Sequence, residues 1–493
     1  MAVVLVGLLV LRDDGEDRGS LTPPIDLPDG SPRPSFGTLP PVHAIEKLIS
    51  ARRGQTPNRV WAALEAKARR NGTVPVIVEL KAPNDLLTRL RPSTQEALIN
   101  RLADAVLRVL AGTRFDNLKR FTTVPIIALH ASVATLRVLR RSDLVASIQE
   151  DRALPLPEPR PGEEISPPEA AQKLENGWDI EVSGMRDSWE KGYDGRGQVV
   201  AILDSGVEAT HSWLTGRVIA EACYSTSANC PGGVKQRVGP GSARPCSYEP
   251  GACAHGTHTA HTAAGEYGVA RAAKIAAVQV FSKLSGTACT DNDLPSPCAL
   301  SYNSDQMKGL EYVERLRRRG FAMASVNISI GGGKYARHCD RVDAAYPPLV
   351  SNLRRKGVAT FISSGNDGFS KGIGHPACIT TAVSVGASTL KGTADAVASF
   401  SNSAKILNLL APGDDIYSAV PGNRAESWDG TSMASPHAAG AFAVLRQLQP
   451  TGPVRPLLRA LANSGPRVRD PRNGLRKPRI GVWQAVVRLY NDK

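Results

Sequence analysis

Five short apolar segments between residues 199 and 386 place the strongest constraint on the fold of this chain. They cover residues 199–203, 275–281, 324–330, 359–363 and 382–386, and helix-like sequence such as residues 304–319 lies between them. Apolar strands that alternate with helices are typical of a mainly parallel sheet with helices on both faces. The sequence therefore predicts an α/β fold, with functional groups at the carboxyl ends of the strands.

A serine follows a glycine and a threonine late in the chain, as Gly430-Thr431-Ser432. The small apolar residues 438–443 come soon afterwards and predict a helix that packs closely behind this turn. A hydroxyl at the start of a helix lies at the positive end of its dipole. A serine becomes a good nucleophile only when a neighbouring base takes its proton, so the chain must also supply a base and an acid that orients it.

Two other segments supply those groups. Asp204 ends the apolar run 199–203 and precedes Ser205-Gly206, which predicts a carboxylate at the carboxyl end of a parallel strand. His255 lies in a His-Gly-Thr-His sequence that opens an alanine-rich segment, which predicts an imidazole at the start of a helix. The order along the chain is therefore Asp204, His255, Ser432.

These three segments resemble those of the subtilisin-like serine proteases, in which the same residue types in the same order form a catalytic triad. Residues 363–368, Ser-Ser-Gly-Asn-Asp-Gly, resemble a fourth family segment. By that resemblance Asn366 donates its side-chain amide to the oxyanion, with the backbone N–H of Ser432 as the second donor. The resemblance also implies a subtilisin-like catalytic domain over residues 176–493, which forms an acyl-enzyme and requires no cofactor for the chemistry.

Ser329, Ile330 and Gly331 resemble the strand along which this family binds an extended peptide. Main-chain pairing carries little side-chain information, so we expect broad endopeptidase action on polypeptide substrates. The pair His375-Pro376 predicts a tight turn near the specificity pocket, with a cis peptide bond. His261 departs from the family pattern, which often has glycine there, so the local packing must make room for a ring.

The first third of the chain has its own pattern of strands and helices. Strands are predicted over residues 74–81, 120–130 and 145–150, and helices over residues 93–110 and 132–141. This pattern resembles the small, ferredoxin-like α+β prodomain of many subtilisin-like proteases. The resemblance implies that residues 59–153 act as an intramolecular inhibitor and that the zymogen is processed in the proline-rich linker 154–175. The alternative is an accessory domain that the mature protein retains.

The N-terminus and the cysteines indicate where the protein is located. Residues 1–12 are mostly apolar and predict the remnant of an export signal, and residues 13–58 predict a proline-rich linker. The first of these segments is too short to span a bilayer, and the sequence contains no apolar run of spanning length elsewhere. All eight cysteines lie within the presumed catalytic region, which predicts disulfides and a secreted or extracytoplasmic monomer. Of the 105 connectivities that eight cysteines allow, plausible pairs are Cys289 with Cys298 and Cys339 with Cys378.

Other classes of protein fit the sequence less well. The net charge of +14 is dispersed in short clusters and accompanies no nucleic-acid-binding module, so no nucleic-acid partner is predicted. No metal site is predicted at Cys253 and His255, because no CxxC pair accompanies them. Residues 291–293 (Asp-Asn-Asp) carry oxygen ligands, so a structural calcium site in this loop stays an open alternative. An α/β-hydrolase esterase would need Gly-x-Ser-x-Gly and the order Ser, Asp, His, which this chain lacks. A catalytically silent binding protein of the same fold is the remaining alternative.

Overall fold

The structure is a computed structural model that describes residues 56–82, 90–156, 160–165, 167–175, 177–391 and 394–491. The predicted export-signal remnant and nearly all of the predicted linker 13–58 lie outside the described residues. Within those ranges, no helix combines the length and the apolar character that crossing a membrane requires.

The N-terminal module, residues 56–151, contains four strands and three helices in its described part. The strands are β1 (Val74–Leu80), β2 (Phe115–Arg120), β3 (Ile126–Ala131) and β4 (Val145–Glu150). The helices are α1 (Asn58–Asn71), α2 (Pro92–Val109) and α3 (Val133–Arg141). The strands pair in the order β2-β3-β1-β4, and all three pairings are antiparallel.

The single strand predicted over residues 120–130 is wrong, because two antiparallel strands with a connection between them occupy this region. Strand β2 ends at Arg120 and β3 begins at Ile126. Pro125 has no N–H to donate to a ladder, which explains the interruption. Its carbonyl oxygen instead accepts a hydrogen bond from the Leu80 N–H at 2.8 Å.

The rest of the described chain adds nineteen strands. They are β5 (Ala153–Leu154), β6 (Arg160–Ile165), β7 (Val199–Asp204), β8 (Val218–Tyr224), β9 (Gln236–Val238), β10 (Lys274–Gln279), β11 (Ser282–Leu284), β12 (Cys298–Tyr302), β13 (Met323–Ile328), β14 (Gly332–Tyr335), β15 (Ala359–Ser363), β16 (Ile373–His375), β17 (Val383–Lys391), β18 (Ala394–Val397), β19 (Leu409–Pro412), β20 (Ile416–Val420), β21 (Arg424–Asp429), β22 (Arg467–Arg469) and β23 (Arg476–Pro478).

Ten α-helices follow α3 in the rest of the described chain. They are α4 (Pro167–Glu175), α5 (Trp178–Val182), α6 (Met185–Glu190), α7 (Pro250–Ala264), α8 (Thr287–Thr290), α9 (Asn303–Arg318), α10 (Pro347–Arg355), α11 (Thr431–Leu448), α12 (Val454–Ala462) and α13 (Val482–Asn491). A 3-10 turn covers Ser212–Leu214.

A nine-stranded sheet forms the centre of this region. Eight strands follow the order β18-β17-β15-β13-β7-β10-β8-β9, and β19 pairs with β17. The pairings from β17 through to β8 are parallel, as is that of β19, whereas β18 and β9 pair antiparallel at the edges. The prediction of an α/β fold with a mainly parallel sheet is confirmed.

Helices cover both faces of this sheet, as the central strand β7 shows. Val200 and Ile202 belong to the buried cluster that includes α7 and α11, whereas Ala201 and Leu203 belong to the cluster that includes α9. Successive side chains of a strand point to opposite faces, so a strand covered on both sides must be apolar throughout. Helices α7 and α11 approach closely: a Cβ on Gly440 would lie 2.5 Å from the carbonyl oxygen of Ala263.

Four disulfides join all eight cysteines. The pairs are Cys223–Cys230, Cys246–Cys253, Cys289–Cys298 and Cys339–Cys378. The structure thus has both of the pairs that the sequence made plausible. Since Cys253 is in a disulfide, it offers no thiolate to a metal ion.

Candidate active site

Asp204 and His255 meet at the carboxyl end of the central strand. Asp204 is the last residue of β7, and its Oδ1 lies 2.8 Å from Nδ1 of His255 on α7. Both side chains are fully buried. The same carboxylate accepts hydrogen bonds from the Ser205 N–H at 2.7 Å and the Thr259 hydroxyl at 3.2 Å. Because an ionised carboxylate only accepts, Nδ1 of His255 carries the proton and Nε2 is left with a lone pair.

Gly256 allows this contact. A Cβ at this position would lie 2.2 Å from the carbonyl oxygen of Gly206 and 3.1 Å from Cβ of Asp204. The Gly256 N–H donates to the Ser205 hydroxyl at 3.1 Å. The first half of α7 can therefore lie directly on the turn that follows β7, and this proximity brings the imidazole to the carboxylate.

Ser432 and Asn366 meet at the start of α11. Ser432 is the second residue of that helix and is fully buried. The Asn366 side-chain oxygen accepts hydrogen bonds from the N–H and the hydroxyl of Thr431, at 2.9 and 2.7 Å. A Cβ on Gly430 would lie 3.2 Å from Nδ2 of Asn366, so this amide nitrogen lies beside the turn that leads to Ser432. The Ser329 hydroxyl donates to the Ser432 carbonyl at 3.0 Å.

Trp428 connects the two halves of the site, and no sequence motif predicted its role. Its ring stacks on His258 with centroids 4.6 Å apart and lies 6.1 Å from His255. It is the penultimate residue of β21 and lies four residues before Ser432 in the chain. Within the described chain, neither Nε2 of His255 nor Oγ of Ser432 has a hydrogen-bond partner. The atoms that a triad would join are thus both available, although no hydrogen bond joins them here.

The other two histidines of α7 are structural. Burial lowers the pKa of His258 to about 3, and its Nε2 lies 3.1 Å from the Ile416 carbonyl oxygen. His261, where the family often has glycine, fits against Trp213 with ring centroids 4.9 Å apart. Its Nδ1 lies 2.8 Å from the Ser418 hydroxyl. Burial holds the pKa of His261 well below its usual value, so it does not titrate near neutral pH.

The sequence profile of the subtilase family matches residues 195–473, more than half of the chain. This chain is a subtilase. Subtilisin-like serine protease Pen ch 13 of Penicillium rubens is 34% identical over 271 residues, which are 54% of this chain and 56% of that protein. Subtilisin-like protease 5 of Arthroderma gypseum is 32% identical over 280 residues, 56% of this chain and 59% of that protein. The chain thus spans little more than half the length of these curated relatives.

A solved structure supports the fold of this subtilase. The crystal structure of fervidolysin from Fervidobacterium pennivorans, described as a keratinolytic enzyme related to subtilisin, superposes with a TM-score of 0.61. The match covers 84% of this chain and 61% of that one at 20% identity. At this level of identity the likeness shows the fold alone.

The three predicted substrate-binding residues follow strand β13, and residues 152–156 of the same chain lie beside them. The Gly331 N–H donates to the carbonyl oxygen of Pro155 at 3.4 Å. On the other side, β5 pairs antiparallel with β12, with Leu154 opposite Ser301. The subtilase thus holds an extended segment of its own chain between β12 and residues 329–331. The His375–Pro376 peptide bond near this cleft is cis, as predicted.

The N-terminal module contacts the first three turns of α9 through buried charges. Lys119 forms a 2.6 Å ion pair with Asp305. Glu311 accepts a hydrogen bond from the Thr123 N–H at 3.0 Å. Asp151 accepts from the Ser304 N–H at 2.9 Å. Because unpaired buried charges are costly, these partners fix the module in one position on the subtilase sheet region.

Clusters of side chains that could bind a metal ion are absent from the described part of the chain. Among the described residues, no group of three or more His, Cys, Asp or Glu side chains could hold a metal ion. The sequence Asp291-Asn292-Asp293 directly follows α8, and the Asn292 side chain donates to the Ala288 carbonyl at 2.9 Å. Nothing in this geometry supports a calcium site there.

Proposed function

We propose that this subtilase is a secreted serine endopeptidase that uses Asp204, His255 and Ser432 as its catalytic triad. The observation that carries the proposal is the 2.8 Å contact between Asp204 and His255, which leaves Nε2 of the imidazole as a base. Ser432 starts the adjoining helix without a hydrogen-bond partner for its hydroxyl among the described residues. The four disulfides and the family membership support a location outside the cytoplasm.

The reaction divides peptide hydrolysis into two steps. Oγ of Ser432 attacks the carbonyl carbon while Nε2 of His255 takes the hydroxyl proton, and the same nitrogen then returns that proton to the leaving amine. Water hydrolyses the resulting acyl-enzyme by the same proton transfers and frees the serine. Asp204 holds the imidazole in the required tautomer and stabilises its positive charge.

The oxyanion is stabilised by groups that are already in position. The Asn366 oxygen is held by Thr431, which leaves the NH₂ group on the side of Gly430 and the start of α11. Nδ2 of Asn366 and the backbone N–H of Ser432 can then donate to the charge that develops on the carbonyl oxygen. Donors fixed in advance at such a point lower the barrier without reorganisation during the reaction.

Asn366→Ala is expected to lower kcat by about 10²–10³-fold with little change in KM, since the donor is used mainly in the transition state. Steady-state hydrolysis of a chromogenic peptide gives both constants. A control variant, Thr431→Ser, keeps the hydroxyl that holds Asn366 and is expected to retain most of the activity. A change confined to KM would show that Asn366 binds substrate rather than the oxyanion.

We also propose that the chain is made as a zymogen whose N-terminal module inhibits the site, with residues 59–153 as prodomain and processing within residues 154–175. Support comes from residues 152–156, which lie in the cleft that leads to Ser432, and from the module's buried contacts with α9. N-terminal sequencing of the secreted protein tests this directly. Mature protein that still begins before Leu154 would favour a retained accessory domain.

Two buried carboxyls at this contact make retention of the module depend on pH. Burial raises the pKa of both Asp151 and Asp343 to about 6. Their ionised forms are therefore disfavoured while the module is docked, and this penalty is complete above pH 6 and is relieved as the pH falls toward 3.8. Asp151, which belongs to the module and bonds to Ser304 across the contact, is expected to strengthen retention by about tenfold between pH 7.5 and pH 5.

The pH effect can be measured on the Ser432→Ala chain, cut within residues 157–176 by an added protease. Gel filtration at pH 7.5 and pH 5 then reports how much of the module stays bound. His130, whose pKa is lowered chiefly by burial, acts in the opposite direction. The comparison is therefore made with Asp151→Asn, which retains His130. An unchanged pH response in that variant would contradict the role of Asp151.

A further inference from the structure

We propose that Asp343 and Asn303 form a subsite that selects a lysine or arginine side chain in the bound peptide, at the position that Arg152 occupies in this structure. This inference rests on the proposed function, because it takes the cleft beside residues 329–331 to be the peptide site. It adds a side-chain preference to a cleft in which main-chain pairing alone would give little selectivity.

The subsite is a buried polar cluster built around one carboxylate. Asp343 lies between β14 and α10 and is only 1% exposed. The Asn303 side-chain nitrogen, on the first residue of α9, donates to Oδ2 of Asp343 at 2.8 Å. Nε2 of His375 lies 3.4 Å from the same oxygen. Burial lowers the pKa of His375 to about 3, so its ring brings no charge to the cluster.

Arg152 reaches this cluster through the extended segment in the cleft. Its carbonyl oxygen accepts a hydrogen bond from the Asn303 N–H at 2.9 Å. Its guanidinium lies 3.5 Å from the Tyr335 hydroxyl. The positive charge of Arg152 opposes the rise that burial causes in the pKa of Asp343, and it also lowers the pKa of His375. The backbone of Arg152 thus bonds to Asn303, and its side chain lies beside Tyr335 with its charge near enough to act on Asp343 and His375.

Leu154 fixes the direction of the Arg152 side chain. In an extended segment, residues two apart point to the same side, so Arg152 and Leu154 both face the same wall of the cleft. Leu154 is buried, and a Cβ on Gly332 would lie 3.7 Å from its Cδ2. A peptide bound in the same way would present a basic residue to Asp343 and, two residues later, an apolar residue to Gly332.

The cluster has hydrogen-bonding capacity that a cation can use. Among the described residues, the Asn303 side-chain oxygen and both ring nitrogens of His375 have no hydrogen-bond partner. Gln149 of the N-terminal module donates to Oδ1 of Asp343, and this contact leaves with the module. A guanidinium or ammonium can donate to the Asn303 oxygen and to the one ring nitrogen of His375 that carries no proton, whereas a carboxylate would be repelled and an apolar side chain would leave Asp343 without its counter-charge.

The first test compares quenched peptides that contain X-Ala-Leu and differ only in X, which is arginine, norleucine or glutamate. At pH 8 we expect kcat/KM for arginine to exceed that for norleucine by about tenfold, with glutamate the poorest. Asp343→Asn should remove the arginine preference, so that kcat/KM for the arginine peptide no longer exceeds that for the norleucine peptide. Equal rates for the three peptides, or a preference that survives in Asp343→Asn, would overturn the inference while casein hydrolysis still supported the proposed function.

The second test does not require activity. In the full chain with Ser432→Ala, we expect Arg152→Gln to lower the midpoint of thermal unfolding by about 2 °C, and to have no measurable effect when combined with Asp343→Asn. If Asp343→Asn does not fold, Asn303→Ala takes its place in both tests. Additive effects of the two substitutions would overturn the inference. An inactive wild-type chain that nevertheless shows this coupling would contradict the proposed function and leave the subsite supported.

Discussion

Ser432→Ala is expected to lower kcat for peptide hydrolysis by about 10⁶-fold, the scale of the loss when a subtilisin loses its nucleophile. The substitution removes only Oγ from a fully buried position, and this oxygen has no hydrogen-bond partner among the described residues. The fold should therefore tolerate alanine, and KM should change little. Casein hydrolysis with the purified chain, together with the circular dichroism spectrum of both proteins, gives the measurement.

A matched control for this variant is Ser399→Ala. Ser399 is exposed, and its contact with Arg472 uses only its carbonyl oxygen, which alanine retains. The control should keep wild-type activity. Comparable activity in Ser432→Ala would rule out this serine as the nucleophile, whatever the other residues of the site do.

Asp204→Asn is expected to lower kcat by about 10⁴-fold while the fold is retained. Asparagine has nearly the same shape, but its amide group can donate to Nδ1 of His255, where the carboxylate can only accept. The imidazole would then carry its proton on Nε2, which is the wrong tautomer for a base. The Ser205 and Thr259 hydrogen bonds need an acceptor oxygen, and the asparagine carbonyl can supply one of the two.

The pH profile of Asp204→Asn separates this effect from simple misplacement. If the imidazole has the wrong tautomer, hydroxide can act as the base at high pH, and the residual activity should rise with pH. A displaced active site should give a flat profile instead. Retention of a tenth or more of the wild-type kcat would contradict the role assigned to Asp204.

The sequence predicted site residues where a reactive residue type coincides with a recognisable strand or helix pattern. Asp204 was predictable because a carboxylate ends an apolar strand, and His255 because it precedes Gly256 in a small-residue segment. The prediction that His255 starts the helix is wrong, because α7 begins at Pro250 and His255 lies in its second turn. Both predictions depend on local sequence, and the structure joins the two side chains at 2.8 Å. The parallel sheet was predictable for the same reason, since a strand buried on both faces must be apolar throughout.

Other features could not be predicted from the sequence because they depend on contacts between segments that are distant along the chain. Trp428 lies in a strand whose sequence is mostly polar, and only the fold places its ring on His258. Asp343 is an ordinary loop aspartate in the sequence, and it becomes notable only when Asn303, Gln149 and His375 enclose it. The single strand predicted over residues 120–130 is wrong because Pro125 cannot donate to a ladder, and two strands flank it instead.

The most direct test of the account is the site of covalent labelling by a fluorophosphonate, which reacts with a serine activated by a neighbouring base. Mass spectrometry of the processed protein should locate one phosphonyl group per chain on Ser432, and His255→Ala should abolish the labelling while the fold is retained. Labelling of a different residue, or equal labelling of Ser432 without the imidazole, would contradict the claim that Asp204, His255 and Ser432 act as one catalytic unit.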